Sequence, residues 1–395
     1  MNIESLAKIV AELKAYGNQI PSVSSDIELS VCIPARNEAQ TIWKILTALV
    51  NQLSGDKAVP THLYEVLVLC NNCNDHTVEL CKLFQELHPG FPFYIHVTNN
   101  PAINNVGAAR RVLMDLASQR LTDNGFIIMT DADTIADKNW LDSFLKFQTE
   151  PVDLICGQII PDIKGLNAEA KKNLFENRHY LDLVSRLESE IYPQQSDPWP
   201  RHSHNSGPNM AVRNSVYKNI GGIPPIACLE DIALYQKVIS SGYAVKHAME
   251  PMVTTSCRSS SRVPGGFGSQ IQNWSASKTE NVEGFAKLRE RFTAFAEIRQ
   301  YYSQHSEELL TSIGHRLKIQ KQTLRSLIEE HHSSNSLVIY LENFLKDHSP
   351  WNAAHPNINI AEAIQKLEDH FSVFSQTSKI YSSARSELSS LNRSE

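Results

Sequence analysis

"GFIIMTDADT", Gly125 to Thr134, decides the fold. Its first half is a short unbroken apolar run, as expected of a strand buried on both faces. Its second half ends that strand in two carboxylates, Asp131 and Asp133, two residues apart. Charges that leave the core together at one strand end either share a site or cap a turn.

Working outward from that strand, the same pattern recurs. "LSVCIP" (29–34), "YEVLVLC" (64–70) and "FYIHVT" (93–98) read as short apolar strands, and "TIWKILTALVNQL" (41–53), "HTVELCKLFQELH" (76–88) and "GAARRVLMDLASQRL" (107–121) as amphipathic helices between them. Strands alternating with helices predict a parallel sheet covered on both faces and joined by right-handed crossovers. Ligands of such sheets bind beyond the carboxyl ends of the strands. The first strand runs into "PARNE", the second into "NNCND" and the fourth into "DADT", so three polar clusters meet on one rim.

At 395 residues the chain exceeds one average domain, and its 42% hydrophobic content suffices for a sizeable core. Basic and acidic residues number 37 and 43, giving −6, which argues against nucleic acid or an anionic membrane as the main partner. Seven cysteines is an odd count, and Cys32, Cys70 and Cys156 sit in apolar runs. No charged head with an apolar middle opens the chain, so a cytoplasmic protein is expected, with peripheral contact at the inner face of the membrane as the variant of that reading. No stretch approaches the roughly 18 consecutive apolar residues of a membrane span. "CNNC" (70–73) lacks a second cysteine pair at metal-ligand spacing and reads as small thiols.

Three regions follow. Residues 1–27 comprise an amphipathic helix, "IESLAKIVAELKAYG", that stops at Gly17, and a polar linker; 28–275 form the strand-and-helix domain; 276–395 are helical. In the last region "LLTSIGHRLKIQKQTLRSLI" and "NIAEAIQKLEDHF" carry helical spacing, "HSPWNAAHPN" breaks it, and the serine-rich end is expected to fray. Self-association is expected through these helices.

The polar clusters carry the chemistry. In "PARNE", Pro34 ends the strand, Asn37 can cap the next helix, and the helix start offers backbone donors to an anion or polar ring; the alternative is a plain strand-to-helix turn. "NNVGAARR" repeats the theme, with Gly107 permitting close backbone approach and Arg110 and Arg111 at a helix start. No GxGxxG follows the first strand, which argues against a dinucleotide dehydrogenase. "DADT" offers hard oxygen ligands with which Mg²⁺ or Mn²⁺ bridges to a diphosphate; the alternative is an Asp-rich turn. Downstream, Glu230 and Asp231 open a helix that ends near Gly242 and make a plausible base and its organiser, or simply a helix cap.

Taken in order, "SVCIPARNEAQTI", "VLVLCNNCNDHT", "NNVGAARR", "TDADT", "GPNMAVR" and "LEDIALYQKVISSGY" resemble the family 2 glycosyltransferases of the GT-A fold, over roughly Leu29 to Arg262. The resemblance implies a Rossmann-like, mostly parallel sheet sandwiched by helices. It implies transfer of a sugar from a nucleotide diphosphate sugar to an acceptor hydroxyl with inversion. Pro34, Ala35, Asn37 and Glu38 would line the nucleoside; Gly107 and Arg110 would lie near base or phosphates; Asp131 and Ala132 would reach the ribose side. Asp133 would hold the divalent cation. Asp231 would be the general base with Glu230 beside it, and Gly207 and Asn209 would border donor sugar and acceptor.

The chain departs from the family at "LCNNCND", where Cys70 and Asn71 stand for two aspartates and Asp75 remains. Asn71 can accept a uracil imide proton or donate to another base, so UDP-sugars are favoured without being assured. "TTSCRSSSRVPGGFG" places Arg258 and Arg262 as a lid over the leaving diphosphate, against a basic surface loop. His204 in "PRHSH" lies near the acceptor, against a solvated loop. A sugar, a lipid-linked group or a small molecule remain as acceptors. A sugar-phosphate nucleotidyltransferase and a non-catalytic nucleotide-sugar-binding protein are the competing functions.

Overall fold

The structure is a computed structural model that describes residues 8–9, 26–257, 267–276 and 280–372. Most of the expected N-terminal helix and both lid arginines lie outside the described residues. Eight strands form the main sheet: β1 (Leu29–Ala35), β2 (Tyr64–Asn71), β3 (Phe93–Thr98), β4 (Phe126–Met129), β5 (Thr134–Ala136), β6 (Leu154–Asp162), β7 (Met210–Arg213) and β8 (Val245–Ser256). Their spatial order is β3-β2-β1-β4-β7-β6-β8-β5. The first four named are mutually parallel, as are β6 and β8, whereas β7 runs antiparallel to both β4 and β6, and β5 antiparallel to β8.

The apolar strands of the first half form because both of their faces are covered. Val31 and Ile33 of β1 and Val66 and Val68 of β2 face helices α1 (Ile42–Val50) and α2 (Thr77–Leu87), with α4 (Trp140–Leu145) on the same side. Cys32, Leu67, Leu69, Ile127 and Met129 face the other way, onto α3 (Val106–Ser118) and α7 (Glu230–Ser240). This alternation follows from the two-residue period of a strand. Each buried Val, Leu or Ile contributes about 1.5–3 kcal/mol. α6 (Asn214–Asn219) packs on α3 directly after β7, and α5 (Ala168–Ile191) packs against helices of the C-terminal region.

A third cluster belongs to the C-terminal helices. α8 (Phe267–Ser275) packs on α5, and α9 (Phe285–Gln304), α10 (Glu307–Leu317), α11 (Lys321–Glu330), α12 (Ser334–Asp347), α13 (Ser349–Ala354) and a helix over 360–372 follow. Phe292, Phe295, Leu310, Leu341, Trp351 and Leu367 form its core, together with Tyr180, Leu187 and Tyr192 from α5 and the residue after it. α12 also packs on α7, so the helical region buttresses the helix that begins with Glu230 and Asp231. The run "LLTSIGHRLKIQKQTLRSLI" is two helices, broken at Lys318, whose φ is +57°. "HSPWNAAHPN" is a short helix with Pro350 in its first turn. No helix among the described residues is long and apolar enough to cross a membrane.

Candidate active site

The loop after β1 is built from backbone donors and local carboxylates. β1 runs one residue past Pro34, to Ala35. Asn37 is left-handed (φ +56°), and its Oδ1 accepts from the Asn74 N–H at 2.9 Å, so Asn37 ties this loop to the one after β2; it does not cap a helix. α1 starts only at Ile42, after a turn in which Thr41 Oγ1 donates to Glu38 Oε2 at 2.8 Å. The backbone N–H of the buried Glu38 donates to Thr77 Oγ1 at 2.8 Å. Asp75, the carboxylate that remains of the expected strand-end pair, accepts from Ala39 N–H through Oδ2 and from Thr77 Oγ1 and N–H through Oδ1. Burial pushes its pKa up, but these donors outweigh it and hold Asp75 below the usual carboxylate range. Ala35, Asn37 and Glu38 therefore line one rigid double loop.

Asn71 ends β2 with its side chain buried. Its Nδ2 donates to Ile103 O at 3.0 Å, and its Oδ1 accepts from Asn72 Nδ2 at 2.7 Å. One lone pair on Oδ1 remains beyond those contacts. The cysteines around it are free thiols: the Cys73 contact lowers the Cys70 pKa but the Cys81 contact and burial outweigh it, and the Cys70 contact with burial raises Cys73, so neither is a reactive thiolate.

Close approach at Gly107 is real, but its partner is protein. A Cβ there would lie 2.0 Å from the Ile226 carbonyl oxygen, so the 222–229 loop rests on the start of α3, while Asn105 Oδ1 caps that helix from Ala108 N–H. Arg110, one turn on, was expected beside a base or phosphate. Its guanidinium is instead enclosed, with Nη2 2.5 Å from Asp131 Oδ1 and Nη1 3.0 Å from Glu230 Oε1. The buried cation is balanced on two sides by carboxylates, the arrangement that makes burial of a charge tolerable. Burial would lower its pKa; Asp131, Glu230 and Asp231 more than compensate. Burial raises Glu230, with Arg110 opposing and Asp231 adding to the rise.

Asp131, Ala132 and Asp133 occupy the turn beyond β4, closed by the Thr134 N–H donating to Asp131 O at 3.1 Å. Asp131 is raised by burial and by Asp133, with Arg110 opposing. Across the site, α7 opens after Leu229, which is itself left-handed (φ +60°). Asp231 is oriented by two backbone donors: Gly207 N–H to Oδ2 at 2.7 Å and Ile232 N–H to Oδ1 at 2.8 Å. Arg110 thus joins the "DADT" turn to the start of α7, and these two carboxylate groups, about 100 residues apart in sequence, lie at one place.

Asn209 and His204 differ from expectation. Asn209 is fully buried; its Oδ1 accepts from Trp140 Nε1 at 2.8 Å, and its Nδ2 donates to Gln158 O and Pro251 O, so it braces the strands behind the site. A Cβ at Gly157 would meet that amide at 2.3 Å. His204 is no solvated loop residue: Nδ1 accepts from Ile159 N–H at 3.1 Å, while its own N–H donates to His202 Nδ1. His202 Nε2 faces Ala248 O at 3.0 Å. Burial, with His247 nearby, lowers His202 to about 4; burial, with His202 nearby, lowers His204 to about 3. His247 is structural, its Nδ1 2.7 Å from Asp197 Oδ2, beside Arg201 on the same carboxylate. Sequence reasoning missed this bracing; the histidine spacing alone marked the place.

Among the described residues no three His, Cys, Asp or Glu side chains gather as a metal cage. Asp133, with Asp131 partly committed to Arg110, fits a Mg²⁺ or Mn²⁺ held by one or two carboxylates and completed by substrate phosphates and water.

Residues 30–221 match the sequence model described as Glycosyl transferase family 2. The chain is similar to the Pre-mycofactocin glycosyltransferase of Mycobacterium tuberculosis (strain CDC 1551 / Oshkosh), 23% identical over 277 residues, 69% of this chain and 50% of that protein. It is similar to Glycosyltransferase AglE of Haloferax volcanii, 24% identical over 221 residues, 56% of this chain and 64% of that protein. The chain spans about half the length of the mycobacterial relative. Among solved structures it resembles the mannosyltransferase PcManGT from Pyrobaculum calidifontis in complex with GDP-Man and Mn²⁺, with 14% identity, a TM-score of 0.43 and 92% of each chain covered. Glu230 and Asp231 lie past the matched stretch, but β2, β4, all of β1 except Leu29, and the "PARNE", "NNCND" and "DADT" loops lie within it. The part of the chain that matches glycosyl transferase family 2 is therefore residues 30–221, which hold the three strand-end loops of the candidate site.

Proposed function

We propose that this chain is a glycosyltransferase that moves a sugar from a nucleotide diphosphate sugar, a UDP-sugar by preference, to an acceptor hydroxyl with inversion. The observation that carries the reading is the meeting of two carboxylate groups in one site of a family 2 domain: Asp131 and Asp133 at a strand end, Glu230 and Asp231 at a helix start. The curated relatives named as glycosyltransferases support the same class.

In this reading the double loop of Ala35, Asn37, Glu38 and Asn71 receives the nucleoside, and Asp133 holds the divalent cation. The cation, when bound, neutralises diphosphate charge and so stabilises the leaving group. Asp231 removes the acceptor hydroxyl proton as that oxygen attacks the anomeric carbon. Its two backbone donors fix its direction and leave a lone pair on each oxygen for the hydroxyl. The single displacement breaks the bond from anomeric carbon to diphosphate oxygen and inverts the centre. The reading also gives Arg258 and Arg262 the departing diphosphate.

Incubation with Mn²⁺ and a panel of nucleotide sugars, with cell extract as acceptor source, tests the class. Release of a free nucleoside diphosphate with a glycosylated product is expected. Pyrophosphate release would indicate a nucleotidyltransferase, and binding without any release a non-catalytic receptor.

A further inference from the structure

Arg110 touches three segments that are distant in sequence. Its side chain is 4% exposed, with Nη2 on Asp131 and Nη1 near Glu230. Gly207 completes the enclosure: a Cβ there would lie 1.7 Å from Nη1 and 2.3 Å from Nη2, so only glycine lets the guanidinium sit where it does. The same Gly207 holds Asp231 through its N–H. One side chain therefore contacts the "DADT" turn, the first residue of α7 and the residue that orients Asp231.

The guanidinium is unevenly used. Among the described residues Nη1 approaches Glu230 without hydrogen-bond geometry and Nε meets no acceptor, although both nitrogens are shut off from solvent. A buried donor left without a partner loses its hydration with nothing in return. Most buried polar groups in native folds are paired, so two unpaired nitrogens on one side chain call for a reason. Because solvent reaches neither nitrogen, a nucleotide does not reach them either in this conformation.

We propose that Arg110 is a positioning residue that couples the donor half of the site to the acceptor half and does not itself bind the nucleotide. It is the shared counter-charge of Asp131 and Glu230. Anything that draws Asp131 toward a donor shifts the guanidinium, which bears on Gly207 and, through the Gly207 N–H, on Asp231. Donor occupancy is thereby transmitted to the placement of the base. The inference rests on the transferase reading above for its catalytic consequence, but its structural half does not need turnover.

Two variants test it. Arg110→Lys keeps the charge but replaces a planar fork by a point donor that cannot bridge two carboxylates in the same way. Gly207→Ala leaves every charge in place and forces the fork aside. In both, calorimetric affinity for the nucleoside diphosphate with Mn²⁺ should stay within about threefold, while kcat falls about 10- to 100-fold, the scale of a misplacement near 1 Å. In the wild type, adding nucleoside diphosphate and Mn²⁺ should change hydrogen exchange at the Gly207 and Ile232 amides, and Arg110→Lys should abolish that change. Should Arg110→Lys fail to fold, Gly207→Ala carries the comparison. Weakened nucleotide affinity with kcat intact would make Arg110 a ligand contact and overturn the proposal. Wild-type exchange at Gly207 and Ile232 that ignores the nucleotide would overturn it too. A wild type that turns over no nucleotide sugar yet shows the exchange response would sink the transferase reading and leave the coupling standing.

Discussion

Gly207 and Asp231 are joined by a hydrogen bond of 2.7 Å from the glycine N–H to Asp231 Oδ2. It connects the turn before β7 to the start of α7, and it orients the carboxylate without using a side chain. Asp231 is thus held by the backbone of Gly207, the same residue that closes over the Arg110 guanidinium, so the carboxylate's direction depends on where that residue sits.

Asp133→Asn should abolish turnover and weaken Mn²⁺-dependent nucleotide binding, because the amide retains a neutral oxygen but loses the charge that holds a hard cation. Calorimetry with and without Mn²⁺ reads this directly. Equal affinity in both proteins and both conditions would reduce the "DADT" aspartates to turn residues.

Asn209→Ala should destabilise the fold by about 2–4 kcal/mol, since it strands Trp140 Nε1 and the carbonyls of Gln158 and Pro251 in the interior. The denaturant midpoint should fall at constant slope. A change under about 1 kcal/mol would mean that the site refills with water or repacks.

His202 and His204 should remain neutral well below the ordinary histidine range. Their folded pKa values, about 4 and about 3, lie under the unfolded value near 6.5. The unfolded chain then binds more protons between those limits, so their contribution to stability is complete above about pH 6.5 and is lost as pH falls toward 4. NMR of the ring Cε1–Hε1 groups should show neither residue titrating from pH 8 to 5. A midpoint near 6.5 for either ring would contradict the packing described here.

The first half of the fold was legible because each strand there is buried on both faces and reads as an apolar run: "LSVCIP", "YEVLVLC", "FYIHVT" and "FIIM" became β1, β2, β3 and β4. β7 was not, since four residues, Met210–Arg213, carry no period, and its antiparallel place between β4 and β6 depends on long-range pairing. The 24-residue α5 was also missed, because its buried positions are sparse and charges fill much of the rest. The places of four carboxylates were legible: Asp131 and Asp133 just beyond a strand end, Glu230 and Asp231 at a helix start. Their partners were not: nothing in "NNVGAARR" says that Arg110 turns inward to Glu230, or that the space over Gly107 belongs to Ile226.

The anomeric outcome follows from the roles assigned to the two carboxylate groups. With the leaving diphosphate at Asp133 and the base at Asp231, the acceptor oxygen approaches opposite the departing group in one step. NMR of the anomeric proton in the product should report inversion relative to the donor. Retention would require a second displacement, for which this reading assigns no nucleophile.

Asp231→Asn removes the proposed base while sparing its surroundings. The substitution keeps the shape and an oxygen for the Gly207 N–H but cannot take a proton, and removing a general base typically lowers the rate by about 10² to 10⁴. Turnover and nucleotide affinity should be measured on the same preparation. The account predicts a kcat reduced by that factor with donor affinity unchanged; an asparagine variant that turns over near the wild-type rate would contradict it.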